Sequence, residues 1–579
     1  MVGLEVKSGK RVELFGDALL DATTCPYSVA ADSLVVAYKA TAELGCHLRL
    51  GWPPPENTLD LYPEFRCLTN DLKLPKGSGL RGALHHYHLS TMVTLKKEAI
   101  RSLADRGGPW TESERSDLLE CCGDEADALV RLLAKMIPSP DLPHALERGR
   151  FMTAVARMER TGVPVDVGLV RRIRTNWTSI RRQFIEDVDA DYGVYVGTRF
   201  SQEGFRRWLE REGINWPILN TKNGSLQLDR KTFKRMAQRY PQVEPLRSLR
   251  QMLSQLRSLA LSIGADGYSR TSLSPFRAKT SRNQPSSTEF IFGLSSWARQ
   301  LLCPAPGNAL AYLDWKQQEF GIAAALSGDT AMMDAYRTGD PYLAFAKQAG
   351  AVPADATGET HAARREQFKQ CALAVLYGMG VRSLAERLGI SATEAQGLLT
   401  MHRKTYRKFW RWSDAVLDYA HFYGELHSTF GWRIRVTPDT SNRTLRNFPM
   451  QTNGAEMLRL ACCMLTERGI RVCAPIHDAV LVEAPVTDID AVVAKAQGIM
   501  AEASAIVLGG FALHTDKKEI TESGSWEDSK GKEVWEKLMN RLPPPYTPDV
   551  DDDRETGFDN PSTVASTCEP VAGEDDCHE

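Results

Sequence analysis

The feature that most limits the folds open to this chain is a pair of apolar runs, ALAYLDW (309–315) and CAPIHDAVLVEAP (473–485), each interrupted by one aspartate. The first reads as a strand with Asp314 at its carboxyl end, the second as a strand pair with Asp478 inside it. A buried aspartate is costly unless it is paired or bound to metal. Two of them on neighbouring strands would make a site for hard divalent cations, which take oxygen ligands. Taken singly, an aspartate at a strand end is more often a turn or cap residue, so the segment between the two runs has to be weighed with them.

That segment, RREQFKQCALAVLYGMG (364–380), spaces Arg365, Lys369, Leu373 and Tyr377 four apart. On a helix this spacing puts all four on one slowly drifting face. Two cations, an apolar contact and an aromatic ring suit a nucleoside triphosphate, the cations meeting phosphates and the flat apolar surface meeting base and sugar. An amphipathic helix with two solvated cations is the plainer reading of the same pattern.

The rest of the chain sets the context. It has 579 residues, 42% hydrophobic and 25% charged, which excludes wholesale disorder and collagen-like repetition. No apolar run approaches the ~20 residues of a spanning helix, and MVGLEVKSGKRVELF lacks a secretory h-region, so a cytoplasmic protein is expected. The twelve cysteines include no CxxC pair. The adjacent pairs Cys121-Cys122 and Cys462-Cys463 lie in helix-like surroundings, which favours free thiols in a reducing compartment over zinc or disulfides. The net charge of −2 conceals an asymmetry: from Pro543 to Glu579 there are eleven Asp/Glu and one Arg, leaving 70 Lys/Arg against 62 Asp/Glu in residues 1–542. The tail has too few apolar residues to bury and is expected to be disordered. The basic body suits a polyanionic partner or simple solubility equally. Between Arg230 and Arg282 twelve Lys/Arg stand against two Asp/Glu, a bias that favours a phosphate-tracking surface over a solvated helix face.

After the prolines from Pro138 to Pro143, patterning predicts a long helical region with breaks near Pro164 and Pro217, and a helical pattern from Lys231 to Leu261 interrupted at Pro241 and Pro245. A capping box at Ser391/Glu394 is expected to open a helix running on through Trp410 and Trp412. TFGWRIRV (429–436) reads as a strand and TNGAEMLRLACCMLTERG (452–469) as a buried helix.

Three segments resemble motifs A, B and C of the family A DNA polymerases, the bacterial DNA polymerase I class: LDWKQQEFGIAAALSGD (313–329) with TGDPYLAFA (338–346), the helix carrying Arg365, Lys369 and Tyr377-Gly378, and IHDAVLVEAP (476–485). The stretch Arg443-Thr-Leu-Arg-Asn447-Phe-Pro-Met-Gln451 is similar to the one preceding motif C. The match is collinear from about 280 to 485, and within the family the chain most resembles polymerases of phages and integrated mobile elements without a 5′-nuclease domain. The resemblance implies an α/β multidomain, right-hand polymerase with an antiparallel palm sheet and helical fingers and thumb. Its divisions would be a degenerate, ribonuclease H-like 3′–5′ exonuclease remnant (1–135), connector and thumb (136–279), palm (280–345 and 429–542), fingers (346–428) and acidic tail (543–579).

The resemblance also implies roles. Asp314 and Asp478 would hold two Mg²⁺ ions, with Mn²⁺ as a substitute. Lys369 and Arg365 would bind the incoming phosphates, Lys369 also donating a proton to the leaving group. Glu319, with Tyr377, would crowd a ribose 2′-hydroxyl, and Leu373 would line the nucleotide site. Arg282, Arg443, Asn447, Gln451 and His477 would contact primer and template. Two departures stand out: Ala479 where many members carry Glu, and Leu373 where an aromatic ring is usual. The implied activity is template-directed DNA synthesis from dNTPs on a primer–template by a monomer associated with the nucleoid, with no membrane partner and with replication partners reached through the tail. The departures leave two alternatives, a catalytically impaired DNA-binding or accessory factor and a single-subunit RNA polymerase, against which the paired aspartates with Lys369, and Glu319, respectively argue.

At the amino terminus, residues 35–62 resemble the second exonuclease motif, offering Glu43 and Asp60, and 121–133 a worn third motif, offering Glu125. The first motif, a strand with Asp-x-Glu, is not found upstream, so a two-metal nuclease is not expected to assemble and no proofreading is anticipated. His85-His86-Tyr87-His88 is expected to be a surface loop rather than a metal site.

Overall fold

The computed structural model describes residues 1–89, 97–137, 141–220, 225–256, 259–520, 526 and 529–544. The acidic tail from 545 onward lies outside the described residues.

The molecule is organised on a four-stranded antiparallel sheet made of β1 (Asn308–Trp315), β2 (Arg471–Ile476), β3 (Ala479–Pro485) and β4 (Thr515–Ile520), in the spatial order β2-β3-β1-β4. The apolar runs of β1 and β3 are nearly continuous because both faces are covered: Ala309, Leu310, Ala311 and Leu313 are all buried, as is β3 from Ala479 to Ala484. Successive residues point to opposite faces, so a two-sided core demands apolar residues at both parities. The one carboxylate inside β3, Glu483, is stabilised by partners: the Tyr268 hydroxyl donates to it at 2.9 Å, Asn308 Nδ2 at 3.0 Å and Arg471 Nε at 2.8 Å.

Six helices position the site and its supports: α1 (Leu61–Leu68), α2 (Leu142–Thr161), α3 (Gln318–Ser327), α4 (Ala362–Leu376), α5 (Asn442–Glu467) and α6 (Ile489–Val507). α5 packs against α6, α2 and α3. It absorbs two segments that sequence patterning treats separately, since it runs unbroken through Pro449. Proline removes the donor to the Leu445 carbonyl, and burial of the surrounding residues holds the helix together in spite of that loss.

Several expectations are confirmed in detail and others corrected. The capping box at Ser391/Glu394 forms as predicted, but its helix stops at Thr405, and Trp410 and Trp412 belong to a second helix, Arg407–Tyr423. Residues 429–436 contribute only the strand Arg433–Arg435, paired with Glu425–His427. Ser428 to Trp432 is used by the tight turn, closed by Ser428 N–H donating to the Trp432 carbonyl at 2.8 Å and by Gly431 at φ +75°. Pro241 does break the helical region at 230–255, whereas Pro245 sits in the first turn of Glu244–Gln255, where a missing N–H costs nothing. Helix Arg230–Arg239 buries Thr232, Phe233, Met236 and Ala237 and exposes Arg230, Lys231, Lys234, Arg235 and Arg239.

The first 135 residues contain, among those described, a parallel strand pair (Val35–Ala37 with Thr58–Asp60), an antiparallel pair (Val2–Leu4 with Arg11–Glu13) and helices. This region is welded to the rest. An added Cβ at Gly149 of α2 would lie 1.8 Å from the Thr58 carbonyl oxygen, so only glycine lets α2 approach that strand. Beside it Arg148 of α2 grips Glu64 of α1 with two hydrogen bonds, 2.6 and 2.8 Å, and donates to the Phe430 carbonyl at 3.1 Å. His85 and His86 end the helix Leu80–His86 instead of forming a loop, because His86 packs edge-on against Phe65 and Tyr87. All ten cysteines among the described residues are free, with Cys462 and Cys463 buried in α5.

The Arg148–Glu64 pair is almost wholly buried. Arg148→Met strands Glu64 without a partner, and urea denaturation of the full chain at pH 7 is expected to show a loss of about 3–5 kcal/mol. A loss below about 1 kcal/mol would mean that the pair behaves as an exposed one.

Candidate active site

The register of the sheet brings the two aspartates together. Asp314 is cross-strand from Ala479, and the Trp315 N–H donates to the Asp478 carbonyl at 3.2 Å. His477 and Asp478 form the two-residue turn between β2 and β3, with Ile476 paired to Ala479 and His477 at φ +51°. A tight hairpin of this kind calls for a left-handed residue at its tip, and the exposed imidazole accepts that conformation.

Burial pushes the Asp314 carboxyl up to about 7, reinforced by the charge of Asp478, a hydrogen bond shared with it, and the charge of Asp516. Asp478 is also raised by burial, with the charges of Arg282 and His477 opposing the rise. Asp314 Oδ1 is buried and has no hydrogen-bond partner. Two neighbouring carboxylates, one with a buried oxygen that has no partner, fit a divalent cation, which would favour the doubly ionised form. Among the described residues no cluster of three or more His, Cys, Asp or Glu gathers as a metal site. Asp314 and Asp478 would offer two carboxylates, a donor set suited to an ion such as Mg²⁺ that keeps water and substrate oxygens for its other positions. Asp516, on edge strand β4 directly across from Asp314 and 2.6 Å from Lys316 Nζ, is a third acidic neighbour that sequence reading missed. Its only signal is the charged stretch TDKKEI (515–520), which names no partner strand.

Glu319 lies in the first turn of α3, and Tyr377 caps the carboxyl end of α4. The Tyr377 hydroxyl donates to Glu319 Oε1 at 3.1 Å. Burial raises Glu319, with Tyr377 and Arg282 opposing, and burial together with Glu319 pushes Tyr377 up to about 12. The Arg282 charge acts on Asp478, Glu319 and Tyr377 alike, so these four side chains form one electrostatic cluster. Ala479 is fully buried in β3 and leaves no side chain reaching into it.

On α4, Phe368, Cys371, Ala372, Val375 and Leu376 are buried, while Arg365, Lys369, Leu373 and Tyr377 share the half-exposed side as the spacing predicts. Both cations are already paired. Arg365 Nε meets Asp340 Oδ2 at 2.5 Å, and Lys369 Nζ lies 3.5 Å from Glu366. Asp340 also caps the helix Pro341–Gln348, a second partner not foreseen from sequence. Arg443, Asn447 and Gln451 fall on one face of α5 at intervals of four, Arg443 exposed and the others half-buried. Arg443 is engaged locally: its Nε donates to the Tyr377 carbonyl at 2.8 Å, and its Cγ would sit 3.1 Å from a Cβ at Gly378, where φ is +63°.

The amino-terminal carboxylates also converge. Glu43 is pushed up to about 7 by burial and by the charges of Asp60 and Glu125. Asp60, fully buried, caps α1 and accepts the N–H groups of Lys39, Ala40 and Tyr62 at 2.9, 2.7 and 2.9 Å. Two of these bonds fall on Oδ1 and one on Oδ2.

A mixed helix–sheet architecture thus brings Asp314, near the end of β1, and Asp478, in the turn before β3, into one electrostatic field. Residues 219–516, about half of the chain, match the model of DNA polymerase family A, and the chain belongs to that family. It is 25% identical over 490 residues to the thermostable DNA polymerase I of Thermus aquaticus, covering 77% of this chain and 57% of that protein. It is 24% identical over 373 residues to the DNA polymerase of Mycobacterium phage L5, covering 62% and 60%. The chain therefore spans little more than half the length of these relatives. Its fold matches the POL domain of Pol1 from M. smegmatis, solved in complex with DNA primer-template and dNTP, at a TM-score of 0.65 and 19% identity, covering 85% of this chain and 86% of that one. Among the described residues no helix is long and apolar enough to cross a membrane.

The cost of ionising Asp314, set first by burial and then by the Asp478 charge, has a measurable sign. A carboxyl raised in the fold penalises the native state wherever it is ionised, so the penalty is full above about pH 7 and disappears as pH falls toward its unfolded value. In EDTA, Asp314→Asn is expected to raise the thermal midpoint by a few degrees at pH 8 and by less at pH 5. An equal shift at both pH values would exclude the cost of ionising Asp314 as the cause.

Proposed function

We propose that this chain is a DNA-directed DNA polymerase that extends a primer 3′-hydroxyl with dNTPs under template direction. The observation that carries the reading is the convergence of Asp314, near the end of β1, and Asp478, in the β2–β3 turn, beside the Arg282–Glu319–Tyr377 cluster. The β1–β4 sheet is then the palm, drawn from 280–345 and 429–542, with fingers at 346–428, connector and thumb at 136–279, and an exonuclease-like remnant at 1–135. The protein acts in the cytoplasm, at the nucleoid.

In this reading Asp314 and Asp478 hold two Mg²⁺ ions, or Mn²⁺ in their place. When bound, these metals lower the pKa of the primer hydroxyl and neutralise the triphosphate and departing pyrophosphate. The chain's own residues orient the reactants. Arg365 exchanges Asp340 for phosphate oxygens, and Lys369 leaves Glu366 to bind the triphosphate and protonate the leaving group. Leu373 supplies an apolar contact to the nucleotide. Glu319, locked by Tyr377, fills the space a 2′-hydroxyl would need. Arg282 and His477 stand at the primer end, while Arg443, Asn447 and Gln451 line one helix face toward primer and template. Duplex phosphates are tracked by the exposed cations of helix 230–239. The amino-terminal region is read as a remnant that does not proofread.

Primer extension with Mg²⁺ tests the reading. Asp314→Ala and Asp478→Ala are each expected to lower the rate by about a thousandfold or more, with duplex affinity kept in a binding assay. A mismatched 3′ end should persist untrimmed. Absence of any product from the unaltered chain with Mg²⁺ or Mn²⁺, while duplex binding persists, would assign it to an accessory DNA-binding role instead. On the same template Glu319→Ala should raise ATP incorporation relative to dATP, and an unchanged ratio would remove its gating role.

A further inference from the structure

Arg282 stands at the end of a backbone segment that cannot hold its own shape. Within 274–282 three non-glycine residues lie in the left-handed region, Ser274 at φ +46°, Phe276 at +58° and Ser281 at +62°. Such conformations persist only where the surroundings over-determine them. Within the segment a short turn is closed by the Ala278 N–H donating to the Arg282 carbonyl at 3.2 Å and the Ser281 N–H to the Ala278 carbonyl at 2.9 Å.

Much of the outside support comes from the amino-terminal region. Arg66 of α1 donates from Nε to the Phe276 carbonyl at 3.3 Å and from its Nη2 to the Arg277 carbonyl at 2.8 Å. Asn70, fully buried, donates from Nδ2 to the carbonyls of Lys279 and Arg433, both at 2.7 Å. With two carbonyls as neighbours, only the amide nitrogen can face them. Asp71 forms an ion pair with Lys279. From the other side Trp432 Nε1 donates to the same Lys279 carbonyl at 3.0 Å and its ring stacks on Phe276, while Arg459 donates to the Ser281 carbonyl at 2.9 Å. The carbonyls of Phe276, Arg277, Lys279 and Ser281 are thus pinned, and the α1 side supplies the donors to Phe276 and Arg277 and shares that to Lys279.

We propose that Arg66 and Asn70 are positioning residues that hold the 274–282 segment, so that the amino-terminal region braces Arg282 in the polymerase site. The inference rests on the polymerase reading for what Arg282 does there, but not for the brace itself. The exonuclease-like region then has a use independent of any nuclease chemistry: its α1 end is a wall against which a strained loop is clamped.

Two measurements on the full chain decide it. In single-nucleotide extension, Asn70→Asp, which sets a carboxylate against two carbonyls, and Arg66→Met are each expected to lower the maximal rate about tenfold or more. The half-saturating dNTP concentration should stay within about twofold, and Arg66→Lys should recover part of the rate. In an Arg282→Ala background neither change should cost more than about twofold further, because residues acting through one group are not additive. Full additivity would overturn the positioning role. Hydrogen–deuterium exchange across 274–284 should quicken about tenfold in Asn70→Asp and Arg66→Met, and unchanged exchange would overturn the brace. If the unaltered chain makes no product, the polymerase reading falls, and exchange still decides whether the brace exists.

Discussion

The structure turns on a pair of carboxyls whose ionisation the fold opposes, first by burial and then by the charge of Asp478 on Asp314. Asp314 and Asp478, from distant parts of the chain, are forced into each other's field by the β1–β3 register and by a two-residue hairpin turn. Burial, reinforced by the charge of Asp478, pushes Asp314 up to about 7. An arrangement that penalises the folded protein is sensible only where something positive completes it. Arg282 and His477 oppose the charge on Asp478, but the buried Oδ1 of Asp314 keeps no protein partner. In the proposed reading a divalent cation would supply what the protein leaves out.

Around that pair the chain separates holding from reacting. β1 and β3 are buried on both faces, which fixes their register, because a slip of one residue would reverse every side chain. α3 and α4 deliver Glu319 and Tyr377 from different directions to one hydrogen bond. The phosphate-binding candidates are parked on carboxylates, Arg365 on Asp340 and Lys369 on Glu366, so engagement with a triphosphate exchanges one anion for another rather than ordering a free side chain. The amino-terminal region joins this scaffold through the buried Arg148–Glu64 pair and through the carbonyls of Phe276, Arg277 and Lys279.

Much of the centre was legible in the sequence because its signals are local. An aspartate ending an apolar run marks β1, a polar interruption at Asp478 marks the strand pair β2–β3, and spacing by four places Arg365 to Tyr377 on one face of α4. The family resemblance then supplied roles that spacing could not. What escaped is set by pairing between distant segments. Asp516 matters only because β4 lies beside β1, and Asp340 only because its loop meets α4. The continuity of α5 through Pro449 and the halt at Thr405 depend on tertiary packing that overrides local propensity. The bracing role of Asn70 was invisible for the same reason: its carbonyl partners, Lys279 and Arg433, lie far along the chain.

The central claim is that the Asp314–Asp478 pair is built to be completed by divalent metal. Its most direct test is a Mn²⁺ titration followed by electron paramagnetic resonance on the full chain with primer–template and a non-reacting dNTP analogue. The account predicts protein-bound Mn²⁺ whose affinity falls about tenfold or more when both aspartates are changed to asparagine. Equal binding by the doubly substituted chain would contradict it.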